Sequence, residues 1–197
     1  MPKLSILFLG HPQPRDRGDW LHRVRWPGRA LATKASVHAI QTTHPDWVKR
    51  ALAADVLVVL MLVDSILSEV ICQRRQAGKA TVFEISDDFS AVAQANPLAR
   101  YYGRPEVQAL IRRLAENSDA LQFSSRFLAT KFSSLNSKSL VCLNQLHSLE
   151  PYLPHSRSNR LRIGWAGSQG HLEDARQLAL WIGRWARHSE VQWSLMC

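Results

Sequence analysis

Short apolar runs alternate along this chain with stripes of apolar residues at helical spacing. Leu4–Leu9 (LSILFL) predicts a strand closed by Gly10-His11-Pro12. Pro12 and Pro14 then hold an extended loop, and Asp16 or Asp19 can cap a short helix with Trp20, Leu21 and Val24 on one face. Pro27 interrupts that helix, and Arg29–Lys34 continues it as a second piece. Val37–Gln41 predicts a strand, and His44-Pro45-Asp46 opens a helix to Ala53. Asp55–Met61 (DVLVVLM) is continuously apolar after its first residue, the mark of a strand buried on both faces of a parallel sheet. Ser65–Gln76 reads as a helix closed at Gly78, where a left-handed residue belongs. Thr81–Ile85 is the next strand, and 87–103 carries no clear pattern. Pro105–Asn117 predicts a helix with Val107, Leu110, Ile111 and Leu114 inward, followed by strand Ala120–Phe123, helix Ser125–Phe132 and strand Ser139–Leu143.

Residues 145–159, with Pro151, Pro154 and several serines, read as a linker. Beyond them RIGWAGSQGHLED (Arg162–Asp174) reads as a strand, a glycine-punctuated loop and a helix start. The helix carries Leu172, Ala175, Leu178, Ala179, Ile182, Trp185 and Ala186 at helical spacing, and Glu190–Met196 adds a last strand. Strands and helices alternate with connections too long for hairpins, so the predicted class is α/β, a doubly wound parallel sheet. The predicted organisation is one Rossmann-like domain over 1–144, the linker 145–159, and over 160–197 the first βαβ of a second Rossmann-like domain. Val56–Met61 and Val82–Ile85 are expected at the centre of the first sheet, with ligands at the carboxyl ends of its strands. One βαβ cannot cover both faces of a sheet, so Ile163, Trp165, Trp181, Trp185 and Trp193 are expected to need cover.

Composition narrows the partners. The 197 residues are 46% hydrophobic, enough for a packed core, and 25 Lys+Arg against 16 Asp+Glu give a net charge of +9. That balance favours anionic partners: nucleic acid, acidic lipid surfaces or phosphorylated small molecules. Cys72, Cys142 and Cys197 show no C-x-x-C spacing, which suits a reducing cytoplasm and argues against a disulfide framework or a zinc site. Lys3–Gly10 is too short for a signal-peptide core, and Val56–Val63 is far below a membrane span. The expectation is a cytoplasmic protein, with peripheral contact to the inner face of a membrane as one use of its basic surface. Nucleic acid is not expected, because no helix-turn-helix, RNA-binding or zinc signature accompanies the charge. The basic, Trp-containing segment Arg15–Lys34 can track an anionic lipid surface; the simpler reading is a solvated helix with Trp20 and Trp26 packed inward.

The glycine loop has two readings. A strand–loop–helix turn offers free N–H groups and a positive dipole end to phosphate, yet any tight turn uses glycine. Its spacing, G-x-x-G-x-x-G, is not the dinucleotide fingerprint G-x-G-x-x-G, and LFLGHPQP after the first strand lacks that fingerprint as well, against a nicotinamide dehydrogenase.

Three segments in order resemble a GT-B glycosyltransferase of the large retaining, nucleotide-sugar-dependent superfamily. VFEISDDFS is similar to the V-x-D-[IL]-D-D-[DL] segment ending a central strand of the N-terminal domain. ALQFSSRFLATKF followed by LVCLNQLHSLEPY resembles the strand–helix–strand before the interdomain linker. RIGWAGSQGHLED resembles the first strand and loop of the donor-binding domain, in the branch with G-[YW]-x-G-S-x-x-H-x-x-D. The resemblance implies an acceptor-binding N-terminal domain, a donor-binding C-terminal one, and transfer of a sugar from a nucleotide sugar to an acceptor hydroxyl without a required metal or cofactor. It implies a sugar or lipid-linked acceptor. Asp87 and Asp88 would orient acceptor hydroxyls or stabilise oxocarbenium charge, against a plainer role in capping or loop solvation; His11 would reach the acceptor. Gly167, Ser168 and His171 would contact the donor diphosphate. The chain departs from the family at Ser86, where a third acid is common, and in the absence of Arg or Lys from the loop. The donor domain is expected to be truncated, with the chain as given not turning over. The alternative is a non-catalytic α/β remnant or binding module without a complete donor site.

Overall fold

The computed structural model describes residues 3–12, 18–94, 96–144, 161–167, 171–185 and 191–196. The chain forms two compact units, 1–88 with 105–149 and 89–104 with 150–197. The linker reading over 145–159, and Ser168 and Gly170 of the glycine loop, lie outside the described residues.

The first unit is built on a six-stranded sheet of β1 (Ser5–Gly10), β2 (Ser36–Gln41), β3 (Val56–Leu60), β4 (Ala80–Ile85), β5 (Ala120–Phe123) and β6 (Ser139–Val141). The order is β2-β1-β3-β4-β5-β6 and every pairing is parallel. The continuously apolar runs β3 and β4 occupy the two central places, because only a strand covered on both faces can bury successive side chains. Alternate residues serve opposite faces. Leu7, Leu9, Leu57, Val59, Phe83, Ile85, Leu121 and Phe123 are buried on one face, and α2 (Trp47–Ala53), α3 (Ile66–Gln76) and α5 (Pro105–Asn117) pack in sequence along the sheet. On the other face Phe8, Val58 and Leu60 meet Trp20 and Val24, with Leu31 and Val82 at the margin.

Trp20 and Val24 belong to a π-helical turn, Trp20–Arg25, that runs straight into α1 (Trp26–Leu31). Pro27 does not break the helix. It sits at the start of α1, where the helical ladder passes from π to α spacing. Asp19 stands at the N-cap of the π-helical turn but makes no side-chain capping bond, so the expected structural duty is not its duty. Trp20 is buried as expected and Trp26 half-buried. Gly78 takes the left-handed conformation (φ 67°) that ends α3. Ser125 caps α6 (Arg126–Lys131), its hydroxyl accepting from Leu128 N at 3.3 Å.

Two basic side chains gather the carboxy-terminal carbonyls of α2. Arg74, fully buried, donates from Nη1 to Ala51 O and to Ala54 O (2.8 Å), from Nη2 to Asp55 O (3.2 Å) and Ala80 O, and from Nε to Thr81 Oγ1 (2.9 Å). Lys79 Nζ donates to Leu52 O and to Ala53 O (2.8 Å). The last carbonyls of a helix lack intrahelical donors and carry its negative dipole end, so cations satisfy both needs there.

In the second unit β7 (Leu161–Ala166) and β8 (Val191–Met196) pair in parallel, with α7 (Leu172–Trp185) between them in sequence. The patternless segment 87–103 holds a single helical turn, α4 (Ala99–Tyr102). Trp181 is 62% and Trp185 54% exposed, whereas Ile163, Trp165 and Trp193 are half-buried.

Candidate functional site

The connection from β1 to β2 moves one way along the sheet and the later connections move the other way, so the order reverses between β1 and β3. Ligand sites of open parallel sheets lie outside the carboxyl ends of the strands at such a reversal. His11 follows β1 and Met61 follows β3 at this place. His11 Nε2 lies 3.2 Å from Met61 O. A carbonyl only accepts, so in the neutral ring Nε2 carries the hydrogen and Nδ1 presents its lone pair. Met61 holds φ 39°, the one left-handed non-glycine residue among those described. Its N–H donates to Val59 O (3.2 Å) and Glu84 O (3.0 Å), which ties the strained turn to β3 and β4. Backbone strain held by such cross-strand bonds clusters at functional sites.

Gly10 makes the approach possible. A Cβ on it would stand 3.0 Å from Leu60 Cδ1 and 3.2 Å from Trp20 Cζ3. The bare backbone therefore lets the π-helical turn close over the end of β1 and brings Asp19 to the same edge. Asp19 is exposed by surface area, yet protein packed around its carboxyl desolvates it, and Asp87 repels it. Together these hold its carboxyl above the ordinary carboxylate range, against the opposing pull of Arg23, His22 and His11. His11, Asp19 and Asp87 thus share one electrostatic neighbourhood at the carboxyl edge.

Asp87 and Asp88 part company. Asp87 is exposed and accepts from Ser86 Oγ at 3.3 Å. Asp88 pairs with Lys131 Nζ of α6 at 2.5 Å, a half-buried ion pair. Ser124 after β5 donates to Ser86 O at 2.6 Å and steadies the turn that carries both acids.

Beneath the edge lies a buried charged group that sequence reading missed. Glu84 of β4 is 1% exposed and accepts from Arg23 Nε at 2.7 Å; Arg23 is 2% exposed. Gln122, the register partner of Glu84 on β5, donates to its other oxygen. Arg23 Nη1 donates to Cys142 O, just past β6, while Nη2 is buried without a partner among the described residues. Burial pushes the Glu84 carboxyl up, and Arg23 and Gln122 pull it back only in part. Asp19 itself had a sequence signal, an acid shortly after the first strand, but the helix-capping reading absorbed it.

In the second unit Gly167 lies against the Trp165 ring, where a Cβ would come within 2.5 Å of it, and its N–H donates to Met196 O at 3.0 Å. His171 Nδ1 is 2.8 Å from Asp174 Oδ2 one turn on, with both side chains largely exposed. The described residues therefore place Gly167 in a strand-end contact and His171 in a pair with Asp174. Among the described residues no three His, Cys, Asp or Glu side chains are grouped to hold a metal ion, and no helix is long and apolar enough to cross a membrane.

No protein-family model and no curated protein matches the chain. Solved structures do. Anabaena Alr3699/HepE in complex with UDP aligns at TM-score 0.54 and 12% identity, over 98% of this chain and 70% of that one. The same protein in complex with UDP and glucose aligns at TM-score 0.50 and 13% identity, with the same coverage. At these identities the likeness is one of fold.

Proposed function

We propose that the chain serves sugar transfer from a nucleotide sugar to an acceptor hydroxyl, the GT-B type of reaction, with the acceptor held at the carboxyl edge of the six-stranded sheet. The observation that carries this reading is His11 held against the left-handed Met61 turn at the reversal of strand order, with Asp87 following the neighbouring strand β4. The fold shared with a protein whose structure holds UDP and glucose supports it. So does the order of sequence motifs. The donor would be met by the second unit, through Gly167, Ser168 and His171.

Transfer needs a proton taken from the acceptor hydroxyl, positive charge stabilised on the donor ring, and the diphosphate released. His11 suits the proton transfer, because its bond from Nε2 to Met61 O leaves Nδ1 as the ring nitrogen with the lone pair. Asp87, exposed just after β4, accepts a hydrogen bond from an acceptor hydroxyl or faces developing positive charge. Asp88 has a lesser part, because Lys131 already compensates its charge. The basic surface fits a lipid-linked acceptor at a membrane face as well as a free sugar acceptor.

The test is calorimetric titration of the chain with UDP and UDP-glucose, beside product assays with sugar and lipid-linked acceptors. The expected result is nucleotide binding that His11→Ala and Asp87→Asn leave intact while transfer falls, an outcome that would also set aside the expectation that the chain as given does not turn over. Nucleotide binding without transfer to any acceptor would favour the non-catalytic binding module. Absence of both would overturn the reading.

A further inference from the structure

The turn after β3 ties the carboxyl edge together through one residue. Met61 follows Leu60 directly and holds φ 39°. In the left-handed region a Cβ crowds the neighbouring carbonyl, so glycine, and after it asparagine, are the usual occupants. A methionine stays there only where its surroundings over-determine the conformation. The Met61 N–H donates to Val59 O at 3.2 Å and to Glu84 O at 3.0 Å. The residue is 5% exposed, and its Sδ lies 3.8 Å from the Ser86 Oγ that also reaches Asp87 Oδ2 at 3.3 Å. A thioether is a weak acceptor, so the side chain serves here as a buried anchor. The backbone is thus held from the nitrogen side by two bonds and from the side by the anchor.

Burial alone does not call for this backbone. Leu60 and Leu62, on either side, are 6% and 3% exposed without a positive φ. What distinguishes Met61 is its carbonyl, which meets the His11 ring, 50 positions away in sequence, at 3.2 Å from Nε2. A neutral imidazole in water exchanges its hydrogen between the two nitrogens; an acceptor-only partner at one nitrogen keeps the hydrogen there.

We propose that Met61 is a positioning residue, whose left-handed backbone aims its carbonyl at His11 and so holds the ring in one orientation and one tautomer, hydrogen on Nε2 and lone pair on Nδ1. Its catalytic meaning rests on the reading of His11 as the group that takes the acceptor's proton, but the placement itself is measured without substrate.

Two roles for Met61 predict opposite orders among its variants. If Met61 only fills space, Met61→Val is the mildest change, Met61→Ala is worse, and Met61→Gly, which leaves the largest hole and the loosest chain, is the most disruptive. If the left-handed backbone is what matters, the order reverses. Glycine takes that conformation without strain, keeps both N–H bonds and keeps the carbonyl on His11. Alanine retains the Cβ that crowds the backbone but loses the anchor that held it. Valine is β-branched and is a genuine outlier at positive φ. In both, the backbone relaxes and the carbonyl leaves the ring.

The experiment is nitrogen-15 NMR of the full chain labelled at histidine, at a pH where the His11 ring is neutral, with His11→Gln assigning the signals. Long-range nitrogen–proton spectra report which ring nitrogen carries the hydrogen, and the Nε2–H signal reports its exchange with water. Urea unfolding of each variant identifies those that are folded, and Met61→Ala decides the comparison if Met61→Val does not fold. The expected result is a single tautomer with a persistent Nε2–H signal in wild type and Met61→Gly, and loss of that signal with mixed tautomers in Met61→Ala and Met61→Val. The same spectrum in all four proteins, or loss in Met61→Gly with retention in Met61→Val or Met61→Ala, would overturn the proposal. In the transfer assay kcat should follow the same order, with KM for UDP-glucose unchanged. If the spectra follow the expected order and kcat does not, the base reading of His11 fails and the positioning of its ring by Met61 stands.

Discussion

Replacing Arg74 with Met should unfold the first unit more easily than any substitution at the carboxyl edge. The guanidinium is fully buried, and three of its acceptors, Ala51 O, Ala54 O and Thr81 Oγ1, lie in buried surroundings. Desolvation lowers its pKa, with Asp119 and Asp55 opposing that shift. Met fills much of the volume but donates nothing. Each orphaned buried acceptor costs about 1–3 kcal/mol, so three give roughly 3–9 kcal/mol. Two terms offset part of this: burying the Met side chain returns about 1.5–3 kcal/mol, and the guanidinium need no longer be desolvated. The net expectation is a loss of about 3–5 kcal/mol, a large share of the roughly 5–15 kcal/mol that holds a domain folded. Arg74→Lys should recover only part, since an ammonium cannot reach five acceptors spread over α2, β3 and β4 in fixed directions. Urea unfolding followed by tryptophan fluorescence reads the change, because Trp20 and Trp47 are both buried in this unit. A midpoint shift at constant slope is a stability change. An Arg74→Met variant within about 1 kcal/mol of wild type would show that these carbonyls find water and that Arg74 is no clamp.

Gly10→Ala should cost about 1–3 kcal/mol by overpacking, since its new Cβ meets Leu60 and Trp20; thermal melting checks this, and a neutral result would mean the π-helical turn yields. In the transfer assay, His11→Ala and Asp87→Asn should each lower the rate by about 10²–10⁴-fold with unchanged melting, and Asp88→Asn by clearly less because Lys131 already engages it; equal effects at both acids would contradict the divergence of their side chains. Asp19 has a raised folded-state pKa, so the folded state binds the extra proton: its favourable contribution is present below the unfolded value of about 3.9 and is lost as pH rises through the folded value. The stability of wild type relative to Asp19→Asn should therefore decline above that pH in urea titrations, and a rise would refute the sign. Asp55, lowered by its bonds from the Ser5 backbone and side chain, contributes the opposite way: its stabilisation is present above the ordinary aspartate value and disappears as pH falls through the folded one, so Asp55→Asn should flatten the acid limb of the same curve.

Whatever depends on neighbours along the chain could be read from the residues alone. DVLVVLM could only be a strand covered on both faces, and it lies at the centre of the sheet. The 3.6-residue spacing of Val107, Ile111 and Leu114 placed their helix correctly over 105–117. Gly78 and Ser125 ended and began helices by local backbone chemistry. The α/β class, and the placing of His11 and of Asp87 and Asp88 just after strand ends, followed from the same local order. Tertiary packing set what depends on residues far apart. Arg23 and Glu84 are 61 positions apart, and Arg74 gathers carbonyls up to 23 positions away. Nothing in a local pattern distinguishes these cations from the solvated ones around them; burial of each follows from which strands become neighbours. The separation of Asp87 from Asp88 is likewise tertiary, because adjacent residues diverge and only α6 puts Lys131 beside one of them. Asp19 shows the limit most clearly. An acid before a helix satisfies capping rules, and those rules act over three residues. What set the electrostatic surroundings of its carboxyl instead was the sheet order that put β1 beside β3 and β3 beside β4, a long-range pairing that local propensity does not encode.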